Sequence, residues 1–159
     1  MKKAAFFLAT LFFLTNDVTA QSSKQSKNGE EDIKQLLEGK EYIFRAQSTS
    51  PLRGGFRQLT SEYDLRLYGD SLVSYLPYFG RAYTAPLNPR ESGIQFTSTQ
   101  FDYNVSARKK GWDITLRPRD VSNVQQMILN VTKSGRATLQ VISNNREPIS
   151  FNGVIVKRR

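Results

Sequence analysis

After Gly39 the chain falls into short segments that alternate apolar and polar residues with a period of two, separated by turns and two longer connections. That pattern puts one face of every segment in a core and the other in water, which is the signature of antiparallel strands. Nine strands are expected, at 41–47, 62–68, 71–77, 93–98, 101–107, 112–118, 124–132, 136–143 and 149–157. Three turns can be checked by register, because a slip of one residue would turn a whole strand inside out. Gly69-Asp70 fits a two-residue turn that sets Leu67 opposite Leu72. The turn 108–111 sets Ala107 opposite Trp112, Tyr103 opposite Leu116, and Asp102 opposite Arg117. Lys133-Ser134-Gly135 sets Leu129 opposite Leu139. The three hairpins agree in phase. The expected fold is all-β, a small antiparallel up-and-down barrel or half-barrel. The 98–101 connection has no glycine, so the hairpin there has the weakest support.

Before the strands, Glu30 to Glu38 reads as a short helix with an acidic first turn. Ile33, Leu36 and Leu37 lie on one face, and Gly39 ends it. Residues 21–29 are polar and read as a disordered linker. Lys2 and Lys3, the apolar run Ala4–Leu14 and the small residues Val18-Thr19-Ala20 form the three parts of a secretory signal peptide over residues 1–20. The run is too short for a membrane span of about 20 residues. Residues 30–159 then form one barrel domain, exported to the periplasm or beyond.

The chain has no cysteine and no histidine. Serine–histidine and cysteine–histidine catalysis are therefore excluded, as are the usual zinc sites. Asp102 and Asp113 fall on one face of neighbouring strands, but an Arg117 partner would hold Asp102 ionised, which does not suit a catalytic acid. The expectation is a protein without enzymatic activity, cofactor or metal.

The net charge is +9, and losing Lys2, Lys3 and Asp17 with the leader lowers it by one. Such a charge suits anionic lipid, glycan or another envelope component. No nucleic-acid recognition motif accompanies it, so nucleic acid is a poor candidate partner. If nine strands alternate, loops 48–61, 78–92, 108–111 and 133–135 share one end of the barrel. That end would collect Arg53, Arg57, Arg108, Lys109, Lys110, Lys133 and Arg136 as an anion-facing rim. Arg81, Arg90 and the basic C-terminus would join them.

Beside that rim runs Tyr75-Leu76-Pro77-Tyr78-Phe79-Gly80-Arg81-Ala82-Tyr83, the densest aromatic segment of the chain. Tyr75, Tyr78, Phe79, Arg81 and Tyr83 form either a ligand platform or a plug closing one end of the barrel. The run Ser74 to Tyr83 with the following Ala85-Pro86, Tyr63-Asp64-Leu65 with the Gly69-Asp70 turn, Gly93-Ile94-Gln95-Phe96 and the exported N-terminus resemble the bacterial domain-of-unknown-function family 4251. The resemblance covers most of the mature chain. It implies an exported domain of lipocalin-like topology and carries no catalytic role with it.

Two functions follow from these features. One is a binding or envelope-associated protein that holds an anionic or amphipathic ligand at a basic, aromatic-lined mouth. The other is a structural or protein-interaction module with a filled barrel. For the leader, intact-mass analysis of protein exported by its native host is expected to show cleavage after Ala20. A retained Met1 would disprove it.

Overall fold

The computed structural model describes residues 19–83 and 93–158. Residues 1–18, which carry most of the expected leader, lie outside them. So do Pro86, Pro89 and Arg90 of the long loop. Among the described residues one helix, α1 (Thr19–Glu38), precedes nine strands. They are β1 (Glu41–Pro51), β2 (Arg57–Tyr68), β3 (Ser71–Leu76), β4 (Ile94–Ser98), β5 (Phe101–Arg108), β6 (Gly111–Pro118), β7 (Val124–Thr132), β8 (Arg136–Ser143) and β9 (Ile149–Val156).

The helix is longer than the 30–38 expected and takes in the stretch 21–29. That stretch contains Gln, Lys and Ser, no proline, and a glycine only at 29, so nothing in it forbids a helix. Leu37 is fully buried against the barrel, and the Tyr103 hydroxyl donates to the Leu37 carbonyl at 2.7 Å. The partial burial of Tyr103 itself pushes its phenol up to about 12.

All strands join one antiparallel sheet in the order β4-β3-β2-β1-β9-β8-β7-β6-β5, rolled into a nearly closed barrel. The three expected hairpins have the expected registers, including Leu67 opposite Leu72, Ala107 opposite Trp112 and Leu129 opposite Leu139. Gly69 (φ 54°) and Gly135 (φ 79°) take the left-handed conformation in their turns. Asp102 stands opposite Arg117, but its ion pair is with Arg119, whose Nε lies 3.1 Å from Asp102 Oδ2. Arg117 Nε instead donates to Gln126 at 3.1 Å. Both partners of the Asp102 pair are exposed, so it contributes at most about 1 kcal/mol.

The supposed loop 48–61 is mostly strand. β1 runs to Pro51 and β2 starts at Arg57. A β-bulge between Ala46 and Ser48 shifts the alternation, so Thr49 takes the inward position opposite Phe151, and the polar Ser48 and Thr49 are both buried. Thr49 Oγ1 is satisfied by donating to the Ser150 carbonyl at 3.0 Å. Opposite Ala46 stands Gly153, where a Cβ would come within 2.1 Å of the Arg45 carbonyl oxygen. Only glycine lets β1 and β9 approach this closely.

The inward side chains fill the barrel. Tyr42, Phe44, Leu72, Leu76, Met127 and Phe151 are completely buried, and they belong to one continuous apolar cluster. Each such side chain contributes about 1.5–3 kcal/mol by leaving water.

No hairpin forms at 98–101, which corrects the expectation for that connection. β4 and β5 are the two edges of the sheet. β1 pairs antiparallel with β9, so the alternation forces β4 and β5 to run in the same direction. The chain passes between them through Thr99 and Gln100 without reversing, and therefore needs no turn glycine. Asp120, in the β6–β7 loop, clamps this passage. Its carboxylate accepts from the Ser98 hydroxyl, from the Thr99 amide at 2.9 Å and from the Gln100 amide at 3.3 Å. The Ser98 hydrogen bond, followed by the Thr99 amide, holds the Asp120 carboxyl below its ordinary value of 3.8.

A group held below its unfolded pKa stabilises the fold above that pKa and loses its effect as pH falls through the folded value. Asp120→Ala is therefore expected to lower the melting temperature at neutral pH. The gap from the native protein should shrink as pH falls through the acidic range below 3.8. Thermal unfolding across that range checks this, and a gap independent of pH would contradict it.

Candidate functional site: the capped end of the barrel

β3 stops before Pro77, whose nitrogen has no hydrogen to give the ladder. The chain then crosses the barrel end and lies against the β8–β9 turn. The Tyr83 amide donates to the Asn145 carbonyl at 2.9 Å, and the Glu147 amide donates to the Arg81 carbonyl at 3.0 Å. Between them Ala82 and Arg146 form an antiparallel bridge. The aromatic segment is thus a strap across one end of the barrel, with Tyr78 beneath it and Phe79 and Tyr83 exposed.

Tyr78 holds the strap from below. Its hydroxyl lies 2.8 Å from the Arg81 carbonyl oxygen and 3.0 Å from that of Glu147, and it donates to this pair. Burial, then the Glu147 charge, raises its pKa, while the Arg146 charge opposes them. The Arg146 guanidinium lies over the Tyr78 ring, 5.1 Å from its centre, and Nη1 donates to the Gly93 carbonyl at 2.9 Å. Arg146 and Glu147 are both buried at 5% exposure. Arg53 reaches Glu147 from the β1–β2 loop at 3.7 Å. Gly80 makes this curl possible, because a Cβ there would meet the Tyr78 hydroxyl at 2.6 Å.

Above the strap the surface is apolar and basic. Leu52, Phe56, Phe79 and Tyr83 are exposed at 68%, 65%, 40% and 65%. Arg53, Arg57 and Arg81 are exposed among them, and the Arg57 guanidinium sits 5.2 Å from the centre of the Phe79 ring. Among the described residues, no three carboxylates gather to hold a metal ion.

The structure divides the expected residues. Tyr78, Phe79, Arg81 and Tyr83 belong to the strap. Tyr75 lies apart on β3, stacked on Tyr63 with ring centres 5.7 Å apart. The single basic rim is also split. Arg53, Arg57 and Arg81 stand at the strapped end. Arg108, Lys109, Lys110, Lys133 and Arg136 stand at the opposite end, at the β5–β6 and β7–β8 turns. There Arg108 pairs with Asp113, and Lys133 pairs with Glu30 of α1 at 2.7 Å. The missing reversal between β4 and β5 is the cause, since it exchanges the ends reached by every later turn. The same exchange brings Arg146 and Glu147, on the β8–β9 turn, to the strapped end. Leu52 and Phe56 escaped notice, although a phenylalanine set between Gly55 and Arg57 was the available signal.

The fold and this site define an all-β protein: one antiparallel sheet rolled into a nearly closed barrel, packed inside and strapped at one end. The chain belongs to the family described as Domain of unknown function (DUF4251), whose family model matches residues 24–155. It is similar to the crystal structure of a DUF4251 family protein from Bacteroides eggerthii DSM 20697. The TM-score is 0.60 at 14% identity, over 82% of this chain and 88% of that one. At that identity the likeness shows the fold alone. No curated protein matches the chain.

Tyr78→Phe removes one hydroxyl from the strap and leaves the ring beneath Arg146. It is expected to cost about 1 kcal/mol of stability, read by urea unfolding. No measurable loss would mean that the hydroxyl does not anchor the strap.

Proposed function

We propose that this protein is a non-enzymatic, exported, envelope-associated binding protein. It docks by its strapped end onto an anionic amphipathic surface, the headgroup layer of a bilayer. One observation carries the reading. Leu52, Phe56, Phe79 and Tyr83 are exposed together with three arginines at one end of a barrel whose interior is packed. Aromatic and basic side chains of this kind sit at the level of lipid headgroups. Each arginine near an anionic leaflet adds about 1 kcal/mol. The packed interior supports a surface ligand over one held inside. Export rests on the leader at residues 1–20 and its Ala20 cleavage site. Among the described residues no helix is long and apolar enough to cross a membrane.

The packed interior also favours a second reading, a protein-interaction module with no small ligand. Vesicle co-sedimentation separates the two. Vesicles of phosphatidylcholine with phosphatidylglycerol are expected to retain the protein at low salt. Vesicles of phosphatidylcholine alone should retain less, and salt should release it, because exposed charges are screened beyond about 8 Å at physiological ionic strength. Phe56→Ser with Phe79→Ser should abolish retention, and Arg57→Glu should weaken it. Equal retention on both vesicle types, or none on either, would leave the interaction module as the better reading.

A further inference from the structure

A second surface lies away from the strap, on the outer face of the sheet. The registers of β6 to β9 align Asp113, Asn130, Thr138 and Asn152 side by side, and Gln47 at the β1 bulge extends the row. Neighbouring strands are 4.7–4.9 Å apart, so five residues abreast span roughly 19 Å. They lie in an open groove of about 710 Å³. Arg108, Lys110 and Arg136 stand along one side of it.

The side chains in the row are already oriented. Asn130 donates to Asp113 at 2.6 Å, and Thr138 donates to Asn152 at 3.0 Å. Each amide keeps unused capacity: the Asn152 nitrogen can donate, the Asn130 oxygen can accept, and Gln47 can do both. A ligand that satisfies this row must both give and take hydrogen bonds along an extended line, which a chain of hydroxyl groups does. Arg108 is engaged with Asp113. Among the described residues Lys110 and Arg136 have no ion pair, so the groove keeps a positive margin for carboxylates.

We infer that this groove binds an acidic oligosaccharide, a short sugar chain carrying carboxylates. A polyphosphate backbone fits less well, because its oxygens only accept and would meet the Asp113 carboxylate and the Asn130 oxygen. Stacked nucleobases fit no better. Trp112, the aromatic residue of the groove, lies in the core row opposite Val131 and is 8% exposed, so it offers no open ring face. This site is independent of docking at the strapped end.

The test is an NMR titration of the mature protein with four probes. They are a short oligogalacturonate, a neutral maltooligosaccharide of the same length, inorganic phosphate and single-stranded DNA. Oligogalacturonate is expected to shift amides of β6 to β9 and to bind at least about tenfold tighter than the other three. Lys110→Glu with Arg136→Glu should abolish the shifts. Asn130→Ala with Asn152→Ala should weaken oligogalacturonate about thirtyfold, at about one net hydrogen bond per side chain, and leave the response to phosphate unchanged. Both variants change exposed positions, and an unchanged melting temperature confirms that they fold. Equal binding of phosphate or DNA would overturn the inference. So would shifts outside the groove, or an Asn130/Asn152 variant that binds as tightly as the native protein.

Discussion

Nine strands cannot alternate in direction around a closed ring, and much of this structure follows from where the mismatch falls. Eight of the nine neighbour relations are antiparallel ladders, including the long-range pairing of β1 with β9. The ninth, between β4 and β5, has the wrong sense for such a ladder. The chain resolves this by crossing from one edge of the sheet to the other in two residues. Asp120 supplies there part of the hydrogen bonding that a ladder would have supplied. The same crossing decides which turns meet at each end of the barrel, and so separates the strapped end from the lysine-rich one.

Much of the fold was legible locally. The β7 and β8 boundaries and three registers came from alternation plus turn glycines, because both signals are set within a few residues. The extension of β1 was hidden, since Gln47-Ser48-Thr49 is polar and the burial of Ser48 and Thr49 depends on a bulge against β2 and β9. The aromatic segment stood out by composition. Its role as a strap did not, because Tyr78 and Glu147 are 69 residues apart in the chain. The two-ended distribution of charge was illegible for a different reason. It depends on one parity, and no local pattern in residues 98–101 reveals that the chain fails to turn back. The row Asp113-Asn130-Thr138-Asn152 was likewise invisible until four strands were placed in register.

The packed interior and the strap have a joint effect on what the surface can offer. Phe79 and Tyr83 are carried on backbone fixed by cross-barrel hydrogen bonds and by Tyr78 beneath it. Exposed apolar side chains on such a base lose little further freedom when they are covered, which favours association. The aromatic residues therefore divide the labour. Tyr78 faces the barrel and holds the strap, and its neighbours face solvent.

The edge-to-edge crossing has one more consequence, for the order in which the chain could be written. The start of β1 and the end of β9 are hydrogen-bonded neighbours. If those ends were joined by a loop replacing α1 and the chain were opened between Thr99 and Gln100, the strands would read β5, β6, β7, β8, β9, β1, β2, β3, β4. Every neighbour in the sheet would then be a neighbour in sequence. The native barrel is thus a circular permutation of a plain sequential meander. The permuted chain would keep every ladder while exchanging the most distant pairing, β1 with β9, for a local hairpin. Because local contacts close sooner than distant ones, such a chain should reach the same barrel faster.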